Sequence, residues 1–251
     1  MSGALRGVGR LVGMLAVAVL ALQLFFLLRV ALMLVVAPES TSFQRSEIWR
    51  IVVAKHQLPW AQDSVPGARI SDNLRRAVIA SEDAGFVEHH GVEWDAVEKA
   101  WSRNEKAQAR VEARPVRRGA DGKPRVVVAK VVGGSTISQQ LAKNLFLSGE
   151  RNILRKAQEL AITMMLELVL GKERILTTYL NNVEWGEGVF GAQAASEHYF
   201  RSSAATLGPA QAARLAVMLP APKRFEKQPG SAYVLGRSAT IVARMGGVDL
   251  P

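Results

Sequence analysis

The sequence predicts a mostly α-helical domain carried on one N-terminal transmembrane helix, and three observations point there. One apolar run, Leu11 to Ala37 (LVGMLAVAVLALQLFFLLRVALMLVVA), is long enough as a helix to cross a hydrocarbon core of about 30 Å. Much of the remaining chain repeats apolar residues at spacings of three and four, the period of an amphipathic helix. A strand signal of comparable strength occurs only at 126–132, VVVAKVV, which reads as a short hairpin arm.

Arg6 and Arg10 precede the apolar run and no acidic residue occurs before Glu39, so the positive-inside rule puts residues 1–10 in the cytoplasm and the domain outside. The run exceeds the roughly 7 to 15 apolar residues of a signal peptide and no small-x-small site precedes Pro38, which argues against cleavage. Arg29 either snorkels to the outer interface or marks the practical end of the span near Leu28. Residues 38–70 form a membrane-proximal linker, in which Ile48, Trp49, Ile51 and Val52 suit either an amphipathic stretch at the bilayer surface or a packed first element of the domain. The domain itself is expected over 71–251, with helices near 72–83, 93–103, 135–147, 152–170, 172–181, 188–199, 208–218 and 231–245. Ser71 or Asp72 caps the first of these and Gly171 closes the long one. In that long helix Leu160, Ile162, Met164, Met165, Leu166, Leu168, Val169 and Leu170 are apolar almost all round, which marks it as the central buried helix.

The 251 residues hold one domain of about 200 residues plus an anchor and leave no room for a second catalytic domain. Cysteine is absent, which excludes disulfides and thiolate metal sites. The net charge of +10 is concentrated: residues 103–130 carry nine basic side chains against three acidic ones. With Pro115, Gly119, Gly122 and Pro124 among them, residues 107–130 read as a basic inserted loop. It lacks interleaved aromatics and belongs to an outward-facing domain, so nucleic acid is not an expected partner, whereas anionic headgroups or cell-wall polymers are.

Two clusters carry chemistry. From Gly133 to Glu159, GGSTISQQLAKNLFLSGERNILRKAQE sets Gln139 four residues from Lys143 and Gln140 four from Asn144, while Ile137, Leu141 and Leu145 face elsewhere. Ser135 is the expected N-cap, and Arg155 and Glu159 are paired on the next helix, so the stretch reads as an anion-binding site containing a carboxylate. From Ala77 to Val97, AVIASEDAGFVEHHGVEWDAV places Glu82 and Asp83 where an apolar helix gives way to a loop at Gly85. A carboxylate half-buried at such an edge has its pKa raised toward the range useful for proton transfer. Beside Glu159 in one cleft it forms the carboxylate pair that glycosidic-bond chemistry uses. His89 and His90 lack a third ligand, and His89 is expected to make a structural hydrogen bond. Phe86 is either a core plug or part of a flap, and Asn181, Asn182 and Trp185 are expected to shape the fold.

EDAGFVEHHG, GGSTISQQLAKN, RNILRKAQE and KERILTTYLNNVEWG, in this order, resemble the family 51 peptidoglycan glycosyltransferases, in their monofunctional biosynthetic form; the resemblance runs from about Arg69 to Met245. It implies a lysozyme-like, two-lobed helical fold at the inner membrane and polymerisation of lipid II into β-1,4-linked glycan with inversion and release of polyprenyl diphosphate. Under it Glu82 is the general base and Glu159 the second catalytic carboxylate, and the substrate-binding set is Asp83, Phe86, Ser135, Thr136, Gln140, Lys143, Asn144 and Arg155. It further implies a divalent cation, Mg²⁺ or Mn²⁺, at Glu159, and no organic cofactor. Lipid II, the growing glycan chain and the membrane are the implied partners, with cell-wall synthases and division proteins as candidates. A membrane-bound lytic transglycosylase is the nearest rival and a non-enzymatic cell-wall scaffold a second; the first needs a catalytic acid but no cradle for a diphosphate.

Overall fold

The computed structural model describes residues 2–112, 134–150 and 152–251, with the backbone alone at 2–4, 96, 104, 108, 111 and 112. The expected arm at 126–132 and most of the basic loop fall outside them. Helix α1 (Ser2–Leu32) is the apolar N-terminal helix. It alone among the described residues is long and apolar enough to cross a membrane. Residues 5–22 are exposed throughout, about 27 Å of helix at 1.5 Å per residue. Phe26, Val30 and Met33, which fall within the expected span of 11–37, are buried in the core, so the last turns of α1 dock on the domain. Arg29 lies over the rings of Phe25 and Phe146, 5.8 and 5.4 Å from their centroids.

The stretch expected as a linker is folded. Helix α2 (Ser42–Lys55) starts from a capping box in which Thr41 accepts from Gln44 N while Gln44 Oε1 accepts from Thr41 N. Ile51 is fully buried, so α2 packs as the first element of the domain, and Trp49 is exposed. Strand β1 (Ala61–Gln62) follows. Helix α3 (Asp72–Glu82), capped by Ser71, buries Leu74, Ala77, Val78, Ile79 and Ala80. Helix α4 (Trp94–Glu112) runs about two and a half turns beyond its expected end, through residues 107–112 of the presumed loop. Helix α5 (Ile137–Phe146) packs closely on α6 (Ile153–Asn182). Gly171 interrupts α6 with φ +70 and ψ 160, a non-helical conformation at the very residue expected to close the helix.

Contrary to the expectation of an all-buried helix, α6 hides only one face. Ile162, Leu166 and Leu170 are buried toward α5, while Leu168 is 84% and Ile153 87% exposed, with Met164 and Leu160 on the same outer side. Gln23 exchanges hydrogen bonds with Gln158 (2.8 and 3.1 Å) and Arg174 Nε donates to Met33 O (3.0 Å), so α1 and α6 run side by side in the same direction. Apolarity all round a helix signals burial in protein or lipid alike, and the sequence pattern does not separate the two.

Strands β2 (Glu184–Gly186) and β3 (Val189–Phe190) form a tight hairpin, and β1 pairs in parallel with β3. Residues expected to open a helix at 188 belong to this sheet instead. Gly188 makes it possible: at φ +76, an added Cβ would lie 2.0 Å from Pro59 O. Helix α7 (Ala192–Phe200) leads to α8 (Pro209–Met218), the short α9 (Pro222–Phe225) and α10 (Ala232–Met245). Helices α3, α8 and α10 pack on one another through Leu74, Leu215, Val234 and Ile241. The chain thus forms two helical bodies, α3–α8–α10 and α5–α6, with the end of α3 meeting the start of α5.

Candidate active site

Where α3 ends, two adjacent carboxylates take opposite roles. Asp83 is buried; its Oδ2 accepts from Ile137 N (2.9 Å) at the positive end of α5. Its Oδ1 lies 2.8 Å from His89 Nε2. Because His89 Nδ1 accepts from Gly91 N, the ring proton sits on Nε2 and is donated to Asp83. Asp83 is therefore a clamp joining the 83–91 loop to α5, with both oxygens engaged, and it does not line the cleft. Thr136, not Ser135, is the N-cap of α5: its Oγ1 accepts from Gln139 N and donates to Gly91 O (2.7 Å). Phe86 is fully buried as a core plug, with Lys172 Nζ 4.6 Å from its ring centroid.

Glu82 is half-buried, and its Oε2 accepts from Gln140 Nε2 (3.1 Å). Gln140 Oε1 in turn accepts from the buried Tyr179 hydroxyl (2.9 Å). This chain fixes the amide of Gln140 and aims it at the carboxylate. Burial pushes the Glu82 pKa above the ordinary 4.5, partly offset by the hydrogen bonds from Gln140 and Ser81. Burial likewise raises Tyr179, with the charges of Glu82 and Asp83 adding to it, so its hydroxyl stays a donor.

Beside Glu82, and sharing Gln140 with it, lies a cleft of about 410 Å³. Helix α5 contributes Gln139, Gln140, Lys143 and Asn144, with Ser135 just before it; α6 contributes Arg155, Lys156 and Glu159 from its first turns. Asn152 caps α6 by accepting from Arg155 N (2.7 Å), so the positive end of a long helix faces the cleft as well. Glu159 is 3% exposed and pairs with Arg155 Nη1 (2.9 Å) and with Lys156. Arg155 Nε is a buried donor with no hydrogen-bond partner among the described residues. A carboxylate flanked by two cations holds their side chains in fixed directions, which preorganises positive charge for an anion such as a diphosphate.

Of the expected site residues, Ser135, Gln140, Lys143, Asn144, Arg155 and Glu159 line this cleft, and Glu82 is joined to it through Gln140; Asp83, Phe86 and Thr136 support them from behind. Lys156 was missed although it stands three residues from Glu159. Phe43, Ser46 and Glu47 of α2 also line the cleft and were missed. The T-x-x-Q capping box at Thr41 signalled their helix, but nothing local signals where it packs.

The expected divalent ion at Glu159 does not fit this arrangement. Both Glu159 oxygens are taken by Arg155 and Lys156, and among the described residues no group of three or more His, Asp or Glu side chains is placed to hold a metal. Mg²⁺ is ordinarily held by one or two carboxylates together with waters and substrate phosphates, and Glu159 has no oxygen free of its two cations to contribute.

A model of the transglycosylase family matches residues 52–114 and 125–246. Proteins described as biosynthetic peptidoglycan transglycosylases are similar along nearly the whole chain. One from Paraburkholderia xenovorans (strain LB400) is 47% identical over 249 residues, covering 99% of this chain and 95% of its own. One from Cupriavidus pinatubonensis is 49% identical over 259 residues, covering 98% and 92%. A third, from Cupriavidus metallidurans, is 49% identical over 252 residues, covering 98% and 100%.

Proposed function

Since the chain belongs to the transglycosylase family and is thereby a peptidoglycan glycosyltransferase, we propose that it polymerises lipid II into β-1,4-linked glycan with inversion and release of polyprenyl diphosphate. The observation that carries this reading is one cleft in which Lys143, Arg155 and Lys156 stand next to a half-buried carboxylate with a raised pKa.

Glu82 takes the proton from the incoming sugar 4-hydroxyl as its oxygen attacks the anomeric carbon of the donor. The bond from that carbon to the diphosphate breaks on the opposite face, and the α-linked donor yields a β linkage. Charge growing on the leaving diphosphate is met by Arg155, Lys156 and Lys143, which are already oriented and need no rearrangement at the moment of reaction. Arg155 supplies a planar fork suited to paired phosphate oxygens. Glu159 positions the two basic side chains of α6. Gln140, held by Tyr179, keeps the Glu82 carboxylate pointed and lowers the cost of its ionised form. No step assigned to these residues runs through a metal.

The apolar α1 fits a single-pass membrane anchor. The N-terminus then lies in the cytoplasm and the cleft outside it at the inner membrane, where a lipid-linked donor is found. The outer face of α6, with Leu160, Met164 and Leu168 exposed beside α1, supports contact with lipid on that side.

A lytic transglycosylase shares a carboxyl group of raised pKa but has no use for the cation cluster. Incubating the purified protein with labelled lipid II and separating the products tests the choice. Polymer with release of polyprenyl diphosphate is expected, and intact strands should remain intact. Shortened strands from preformed glycan, with lipid II left unused, would overturn the reading.

A further inference from the structure

The cleft has a wall that the phosphate cradle does not explain. Phe43, Ser46 and Glu47 of α2 line it together with Lys143 and Arg155, yet they precede residue 52, where the match to the family begins. Helix α2 is tied down firmly. Lys223 of α9 reaches Glu47 Oε2 at 2.5 Å, and Arg50 reaches the same oxygen at 2.8 Å. Arg50 and Lys55 continue to Glu187 in the β2–β3 hairpin, and the Phe43 ring meets Phe190 edge-on with centroids 6.2 Å apart.

Both cations bind one oxygen of Glu47. The other, Oε1, accepts from no described residue, on a side chain that is only 10% exposed and lines the cleft. Two bonded cations hold the carboxylate in one rotamer, so Oε1 is a preoriented acceptor. The remaining cleft groups are mostly donors, Lys143, Arg155 and Lys156 with the amides of Gln140 and Asn144, and they suit phosphate. Both oxygens of Glu159 are already used by Arg155 and Lys156. An acceptor among such donors has no hydrogen to offer a diphosphate oxygen and suits O–H and N–H groups.

We propose that Glu47 is a substrate-binding residue that accepts a hydrogen bond from an O–H or N–H donor on the glycan portion of the lipid-linked substrate, so that α2 selects the sugar while α5 and α6 hold the diphosphate. This rests on the glycosyltransferase reading of the same cleft. Nothing is transferred at Glu47; its contribution is orientation and affinity.

Binding of two ligands to the full-length protein in detergent separates the alternatives: a polyprenyl diphosphate bearing the disaccharide, and the bare polyprenyl diphosphate. Glu47→Ala is expected to weaken the sugar-bearing ligand about tenfold, the size of one lost charge-assisted hydrogen bond, and to bind the bare diphosphate no more weakly than wild type. Glu47→Gln, which keeps an oxygen acceptor, should fall between Ala and wild type. Lys143→Ala must weaken both ligands. Equal loss for both ligands in Glu47→Ala would mean that α2 merely braces the cleft, and loss for neither would mean that Oε1 meets no substrate; either result overturns the proposal. A disaccharide ligand without its peptide branch locates the donor: a persisting penalty places it on the sugar, and a vanished penalty moves it to the peptide and overturns the sugar assignment. Failure of the wild type to bind either ligand would instead strike the reading of the cleft itself.

Discussion

Glu184 is the sharpest test of the electrostatics around α2. It is 5% exposed on β2, its Oε1 has no hydrogen-bond partner among the described residues, and its cation, Lys223 at 3.5 Å, is held more tightly by Glu47. Burial pushes its pKa from 4.5 to about 7, against the partial relief given by Lys223. This reverses the usual behaviour of a carboxylate. The folded state prefers the proton, so ionisation costs stability; the cost starts as pH rises through the unfolded value of 4.5 and is complete above about 7. At about 1.4 kcal/mol per pH unit, the displacement amounts to about 3 kcal/mol at pH 8. Glu184→Gln removes that cost, and the attraction to Lys223 needs no separate subtraction because it is already contained in the shifted pKa. The net expectation is a gain of about 3 kcal/mol at pH 8, a rise in Tm of roughly 6–12 °C for a chain of this size. At pH 4.5 the difference should nearly vanish. Thermal unfolding of both proteins in detergent from pH 4.5 to 8 provides the measurement. A variant no more stable than wild type at pH 8, or one whose gain is the same at both ends, would refute the reasoning.

Glu82→Gln preserves shape and should lower kcat by about 10²–10⁴ with the fold intact, and activity within tenfold of wild type would dismiss Glu82 as the base. Because the Gln140 hydrogen bond lowers the Glu82 pKa, Gln140→Leu should move the acid limb of kcat/KM to higher pH; a limb that stays or moves down contradicts the pairing. Glu159→Gln should reduce the rate while leaving the concentration dependence on Mg²⁺ unchanged, since both its oxygens already serve Arg155 and Lys156. A displaced Mg²⁺ titration would show that Glu159 holds an ion. Gly188→Ala forces a methyl group to 2.0 Å from Pro59 O at a φ that side chains avoid, so it should fail to fold or lose several kcal/mol, and a Tm within about 2 °C of wild type would contradict the hairpin geometry.

Local signals recovered what is local. Ser71 caps α3 where its side chain suggested, and Gly171 breaks α6 as a residue free to adopt positive φ should. Glu82, Lys143, Arg155 and Glu159 were legible because charges were set into otherwise apolar helical stripes. The roles of Glu82 and Asp83 were not separable: adjacent residues at a helix end point in different directions, and only the position of α5 decides which one is buried against Ile137 N. The two- and three-residue strands of the sheet are too short to show an alternating pattern. The wall formed by α2 brings Glu47 to Arg155 across more than a hundred residues of sequence, a proximity that no periodicity records.

The parallel docking of α1 on α6 turns the anchor into a rigid mount. A flexible tether would let the domain swivel above the bilayer, whereas the pairs Gln23–Gln158 and Met33–Arg174 fix both its height and its azimuth. Arg155 and Glu159 stand within a turn of Gln158, so the mouth of the cleft inherits that orientation. Under the proposed anchoring, substrate search becomes a problem in two dimensions, with lipid-borne molecules sliding to an opening that always meets them from the same side. The same feature determines where the protein can be cut. Removing residues 1–37 strips Phe26, Val30 and Met33 from the core along with the span, and should leave a surface that clings to detergent or to other copies. A chain beginning at Gln23 keeps that seam closed, and comparing the two by light scattering would show whether the outer turns of α1 belong to the membrane or to the domain.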